Sequence, residues 1–64
     1  MKRQAVRNRL GKTIGFIEDS ELKITARDQL NRTLGYYDKR SDRTYDRMGR
    51  SVANGNVLMS FFQF

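Results

Sequence analysis

Three segments of this chain align without a gap: VRNRLGKTIG (6–15), ARDQLNRTLG (26–35) and TYDRMGRSVA (44–53), at spacings of 20 and 18 residues. Self-similarity at so short a period means that one small structural unit is used three times. The columns agree in physical type. Asn8, Asp28 and Asp46 open each unit, and a charged or polar residue follows. Next come Leu10, Leu30 and Met48, then Gly11, Asn31 and Gly49, then Lys12, Arg32 and Arg50. Thr13, Thr33 and Ser51 precede the branched or linear aliphatics Ile14, Leu34 and Val52, and the small residues Gly15, Gly35 and Ala53 close the match.

An Asn or Asp with Gly or Asn three positions later is what a type I turn ending in a left-handed residue requires. The first side chain bonds the turn backbone, and the fourth position takes φ > 0, where Gly and Asn sit at least cost. Such a unit joins two antiparallel strands with a G1-type bulge. Turns are therefore predicted near 8–11, 28–31 and 46–49, with strands at roughly 3–7, 12–18, 22–27, 32–38, 42–46 and 50–53. The polar stretches EDSE (18–21) and DKRSD (38–42) reverse the chain between units. These connections are too short for a crossover helix, and the chain has no proline to interrupt a ladder. The expected fold is all-β: an antiparallel meander of three related hairpins, either an open sheet or a small barrel.

Asn31-Arg32-Thr33 also spells the acceptor sequence for N-glycosylation. Its column explains it better. Gly11 and Gly49 are the equivalents of Asn31, so the shared requirement is a left-handed backbone, and the sequon is incidental.

The tail departs from the repeat. In NGNVLMSFFQF (54–64), Asn54-Gly55 is a hairpin signal that permits a final strand from 57, whereas Asn56 can cap a short helix beginning at Val57. The helix is favoured, because Val57, Leu58, Phe61 and Phe62 would then share one apolar face. In either form the tail at 57–64 should cover the apolar side of the sheet, in its own chain or in a second copy. Its run is short and lacks a flanking basic face, so no membrane partner is expected.

At 64 residues the chain is expected to make one small β domain, burying only ~60% of its unfolded surface. It has no cysteine and no histidine, so disulfides, thiolate metal sites and the commonest general base are excluded. Self-association is the remaining source of buried area, and a homo-oligomer is expected, with another protein as a further partner class. The first residues are basic but contain no apolar h-region, and no segment approaches the ~20 apolar residues of a span; a cytoplasmic location is expected.

The net charge of +6 is concentrated at one end. Residues 1–12 hold Lys2, Arg3, Arg7, Arg9 and Lys12 with no acid, while residues 13–64 hold eight basic and seven acidic groups. Arg3 and Arg7 on a first strand would charge its edge against aggregation, or, with Arg9 and Lys12, contact phosphates. Phe16, Tyr36, Tyr37 and Tyr45 lie on predicted strands near arginines, and Tyr36, Tyr37 and Arg32 are candidates for a base-stacking surface. All four rings, with Phe16 and Tyr36 directly after Gly15 and Gly35, are more simply explained as packed on the tail. Asp38, Asp42 and Asp46, or Glu18, Asp19 and Glu21, fall in turns and connections. No catalytic residue, metal site or cofactor is expected from them.

The segment TYDRMGR (44–50) resembles the YD (RHS-type) repeat, whose signature is Tyr-Asp, two residues, then Gly-Arg; Tyr45, Asp46, Gly49 and Arg50 match. The resemblance covers about seven residues and implies a β-hairpin unit. The other two units lack the tyrosine. The wider pattern also resembles small bacterial proteins made of repeated β-hairpins, which implies a β fold and no particular activity. The expected function is a non-catalytic association module. Its core or interface residues are Ile14, Leu34, Val52, Leu58, Phe61 and Phe62, and the alternative is nucleic-acid binding through the basic N-terminal segment.

Overall fold

The computed structural model describes residues 2–64. Six strands follow one another: β1 (Lys2–Arg7), β2 (Thr13–Asp19), β3 (Lys23–Asp28), β4 (Thr33–Asp38), β5 (Arg43–Asp46) and β6 (Ser51–Asn54). All pair antiparallel in the order β1-β2-β3-β4-β5-β6, an open meander that does not close into a barrel. A single 3₁₀ turn, Leu58–Phe61, follows.

The repeat is visible atom by atom in the turns. Asn8, Asp28 and Asp46 each accept through Oδ1 from the N–H two residues on (Leu10, Leu30, Met48; 2.8–2.9 Å). The same oxygens accept from the N–H four residues on (Lys12, Arg32, Arg50; 2.8–3.1 Å). The N–H groups of Gly11, Asn31 and Gly49 return to the carbonyls of those first residues, and all three have positive φ, of 81°, 68° and 84°. One carboxylate or carboxamide oxygen thus organises each turn.

Each hairpin also carries an irregularity that the turn chemistry does not announce. The register passes from Val6↔Gly15 to Arg7↔Thr13, from Ala26↔Gly35 to Arg27↔Thr33, and from Thr44↔Ala53 to Tyr45↔Ser51. Ile14, Leu34 and Val52 are the extra, unpaired residues of three equivalent bulges. A bulge frees a side chain from strict alternation, and Ile14 and Leu34 use this to pack against the core although each adjoins a glycine on that same side.

Cross-strand partners share a face, so the register assigns the two sides. Val6, Gly15, Ile17, Ile24, Ala26, Gly35, Tyr37 and Thr44 face the tail. Leu58 and Phe62 are buried there with Val6 and Ala26, and Phe61 packs beside them. The rings need the glycines. A Cβ on Gly15 would collide with Phe62 and the Arg27 carbonyl, and one on Gly35 would lie 2.6 Å from the Tyr45 carbonyl oxygen and 2.8 Å from Phe61 Cε2. Thr44, fully buried, fixes where the tail departs: its Oγ1 donates to the Gly55 carbonyl (2.6 Å) and accepts from the Val57 N–H (3.1 Å).

Two expectations change here. Val52 is 48% exposed and does not join the core. From the end of β6 the tail turns back over the sheet, its 3₁₀ turn lying on β4 and β3 and Phe62 reaching Gly15 of β2, so it runs away from Val52. The tail helix is one 3₁₀ turn rather than an α-helix, with Val57 in the capping position; Asn56 Oδ1 still accepts the Leu58 N–H at 3.0 Å. Leu58, Phe61 and Phe62 make its apolar contacts within the same chain.

Candidate interaction surface

Among the described residues, no element covers the side of the sheet away from the tail. One row of cross-strand partners runs over all six strands: Arg3, Glu18, Thr25, Tyr36, Tyr45 and Ser51. A second holds Ala5, Phe16, Arg27 and Thr33. Phe16, Tyr36 and Tyr45 therefore lie on the face opposite the tail, which corrects the expectation that they pack beneath it; of the four rings only Tyr37 does. Alternation decides this: Gly15 and Gly35 face the tail, so the next residue faces away.

These rings are partnered by cations and by each other. The Arg3 guanidinium carbon sits 4.2 Å from the Phe16 centroid, and Lys23 Nζ lies 5.4 Å from that of Tyr36. Tyr36 and Tyr45 stack with centroids 5.2 Å apart and planes inclined by 23°. Such cation–ring contacts at partly exposed sites contribute about 0.5–1 kcal/mol each. Glu18 sits between two arginines, accepting from Arg27 Nε and lying 3.6 Å from Arg3 Nη1. The hydrogen bond from Arg27, helped by the charges of Arg27 and Arg3, holds the Glu18 carboxyl below the usual range. Arg27 also donates to Thr33 Oγ1 (3.0 Å), and Arg3 to Asn31 Oδ1 (3.1 Å).

The other candidate residues divide between places. Arg3 and Arg7 lie on the exposed edge strand β1, Arg9 and Lys12 in its turn, and Arg32 in the β3–β4 turn, paired with Asp28 at 2.8 Å. That pairing and the N–H bonds from Arg32 and Leu30 lower the Asp28 pKa, the Arg32 N–H most strongly. Tyr37 does not share a stacking surface with Tyr36. It faces the tail, and its hydroxyl donates to Asp42 at 2.6 Å, which raises its pKa. Tyr45 stacks on Tyr36 on the outer face, and Phe16 lies on the same face two strands away. A two-residue count along β4 separates Tyr37 from Tyr36.

The carboxylates have structural duties. Asp19 pairs with Lys39 at 2.8 Å, which lowers its pKa; Asp38 accepts the Arg40 N–H, and Asp46 holds its turn. Among the described residues no group of three or more acidic, histidine or cysteine side chains is arranged to hold a metal ion, and no helix is long and apolar enough to cross a membrane.

The two sheet edges differ. β1 presents Lys2, Arg3 and Arg7 along its six residues, the charged edge that discourages strand addition. β6, Ser51–Asn54, carries no charge and exposes Val52. Comparison of the chain with protein-family models, curated proteins and solved structures finds no match.

Proposed function

We propose that this chain is a non-catalytic association module that pairs with a second copy of itself through the β6 edge. The observation that carries the proposal is the fate of one repeat column. Ile14 and Leu34 pack under the tail, whereas Val52, their equivalent, is left uncovered on an uncharged strand. An antiparallel β6–β6 contact across a two-fold axis would pair the free backbone groups of both edges and bring the two Val52 side chains together. The small core gives association an advantage: only Val6, Ala26, Leu58 and Phe62 are buried apolar residues among those described. Because the tail is used within its own chain, exchange of tails is not needed.

Sedimentation equilibrium tests this. The parent chain should form a dimer in the micromolar range, and Val52→Asp should shift it to monomer with an unchanged circular dichroism spectrum. A parent that stays monomeric at hundreds of micromolar would refute the edge contact.

The outer face favours a second reading, nucleic-acid binding. Phe16, Tyr36 and Tyr45 with Arg3, Lys23 and Arg27 supply the ring-and-cation combination that single strands use. Affinity for a mixed-sequence oligonucleotide should then fall steeply with salt and be lost on replacing Arg3, Arg7 and Arg9. Absence of binding at low salt would remove this reading.

A further inference from the structure

The three repeat turns share one feature that neither reading uses. In a meander the β1–β2, β3–β4 and β5–β6 turns all emerge at the same end of the sheet. At the same position of each turn stands an aliphatic side chain: Leu10 (85% exposed), Leu30 (68%) and Met48 (70%). Single exposed aliphatics are ordinary and need no explanation. Here the same column is apolar three times, at an exposed position of a turn that Asn8, Asp28 and Asp46 hold through bonds to its backbone. A polar residue would fold as well at that position.

The spacing is regular. The closing pairs of the three hairpins are Arg7↔Thr13, Arg27↔Thr33 and Tyr45↔Ser51. Arg27 is level with Phe16, three residues after Thr13, and Tyr45 is level with Tyr36, three residues after Thr33. The offset from one hairpin to the next is thus the same at both steps. Successive tips are about 10 Å apart across the sheet, two strand spacings, and two residues, about 7 Å, apart along the strands, so the three lie about 12 Å apart on one slanted line with Leu10 furthest out. Two residues beyond each aliphatic comes a cation, Lys12, Arg32 or Arg50, and Arg9 and Arg47 precede two of them. The only acids in these turns, Asp28 and Asp46, are engaged in holding them, and Asp28 also pairs with Arg32, whose side chain stays exposed.

Although the tail gave no reason to expect a membrane partner, we infer from the turns that this end of the sheet docks on an anionic lipid bilayer, with Leu10, Leu30 and Met48 entering the interface and Lys12, Arg32 and Arg50 meeting the headgroups. Protruding aliphatics flanked by cations suit a fluid anionic surface, which takes up apolar side chains and basic ones together. A nucleic acid would use the cations and leave the aliphatics in water. A protein would need a hydrophobic pocket matched to each tip, whereas a bilayer needs no match.

The test is co-sedimentation with phosphatidylcholine vesicles, with and without about one third phosphatidylserine, at low and high salt. The parent should partition onto the serine-containing vesicles only, and weaken as salt screens the cations. The variant Leu10→Ser, Leu30→Ser, Met48→Ser keeps every turn-forming group, so its circular dichroism should match the parent. Its partitioning should fall about tenfold or more. Failure of the parent to bind anionic vesicles at low salt would overturn the inference. So would binding of the triple variant equal to the parent, or capture of an oligouridine probe in preference to vesicles with no effect of the three serines.

Discussion

Replacing Thr44 with valine asks whether one hydroxyl places the tail. The side chain is fully buried, and valine has nearly the same shape, so no cavity is created. What changes is bonding: the Gly55 carbonyl loses its 2.6 Å donor and the Val57 N–H loses its 3.1 Å acceptor. An unsatisfied buried group costs about 1–3 kcal/mol. Gly55 and Val57 are half-buried, so water recovers part of each, and the sum should be about 2–3 kcal/mol. A domain of this size has a total stability of about 3–10 kcal/mol, so the loss is a large share. In urea, with a slope near 1 kcal/mol/M, the midpoint should fall by about 2 M or more. Thr44→Ser, which keeps the hydroxyl, should lose less than about 1.5 kcal/mol. If the valine variant unfolded within about 0.3 M of the parent, Thr44 would not be the point that fixes the tail.

Further predictions concern the turns, the glycines and pH. Gly35→Ala should cost about 1–3 kcal/mol by chemical denaturation, because its Cβ would press on the Tyr45 carbonyl and the Phe61 ring. Asn31→Val should cost about 1–2 kcal/mol by forcing a β-branched residue to φ 68°, while Asn31→Gly should be close to neutral; equal melting temperatures for the two would contradict the turn assignment. Glu18, Asp19 and Asp28 have folded pKa values below their unfolded ones, so their contribution is present above the ordinary carboxylate range and is lost as pH falls through and below about 4. Tyr37 has a raised pKa, so its contribution is present below about pH 10 and is lost above it. Thermal melts across pH should therefore decline at both ends, and Tyr37→Phe should remove the tyrosine's part of the alkaline decline.

The turns were legible because their chemistry is local. Asn or Asp followed by Gly or Asn three residues later determines φ and the hydrogen bonds without help from the rest of the chain, and three copies removed the ambiguity that a single copy would have left. Strand limits followed within a residue or so. Which face a residue occupies was less legible, because alternation is counted from a register that the bulges reset. Ile14 and Leu34 reach the core only through them, and Val52 does not, because the tail leaves β6 and packs over the strands on the far side of it. Tyr36 and Tyr37, adjacent in sequence, had to be separated by the pleat, and pairing them as one surface overlooked this. Thr44 gave no signal: a threonine on a strand is commonplace, and its partners Gly55 and Val57 depend on a tail path that only tertiary structure defines. The positive φ of Asp42, at 55°, also went unread, since DKRSD lies outside the repeat.

Association through β6 is decided by the mass of the chain in solution. Sedimentation equilibrium from about one to several hundred micromolar spans the affinities expected of a small edge contact. The parent should fit a monomer–dimer equilibrium, and Val52→Asp should fit a single monomer with the same fold. A parent that remains monomeric throughout, or a Val52→Asp chain that dimerises as readily, would contradict it.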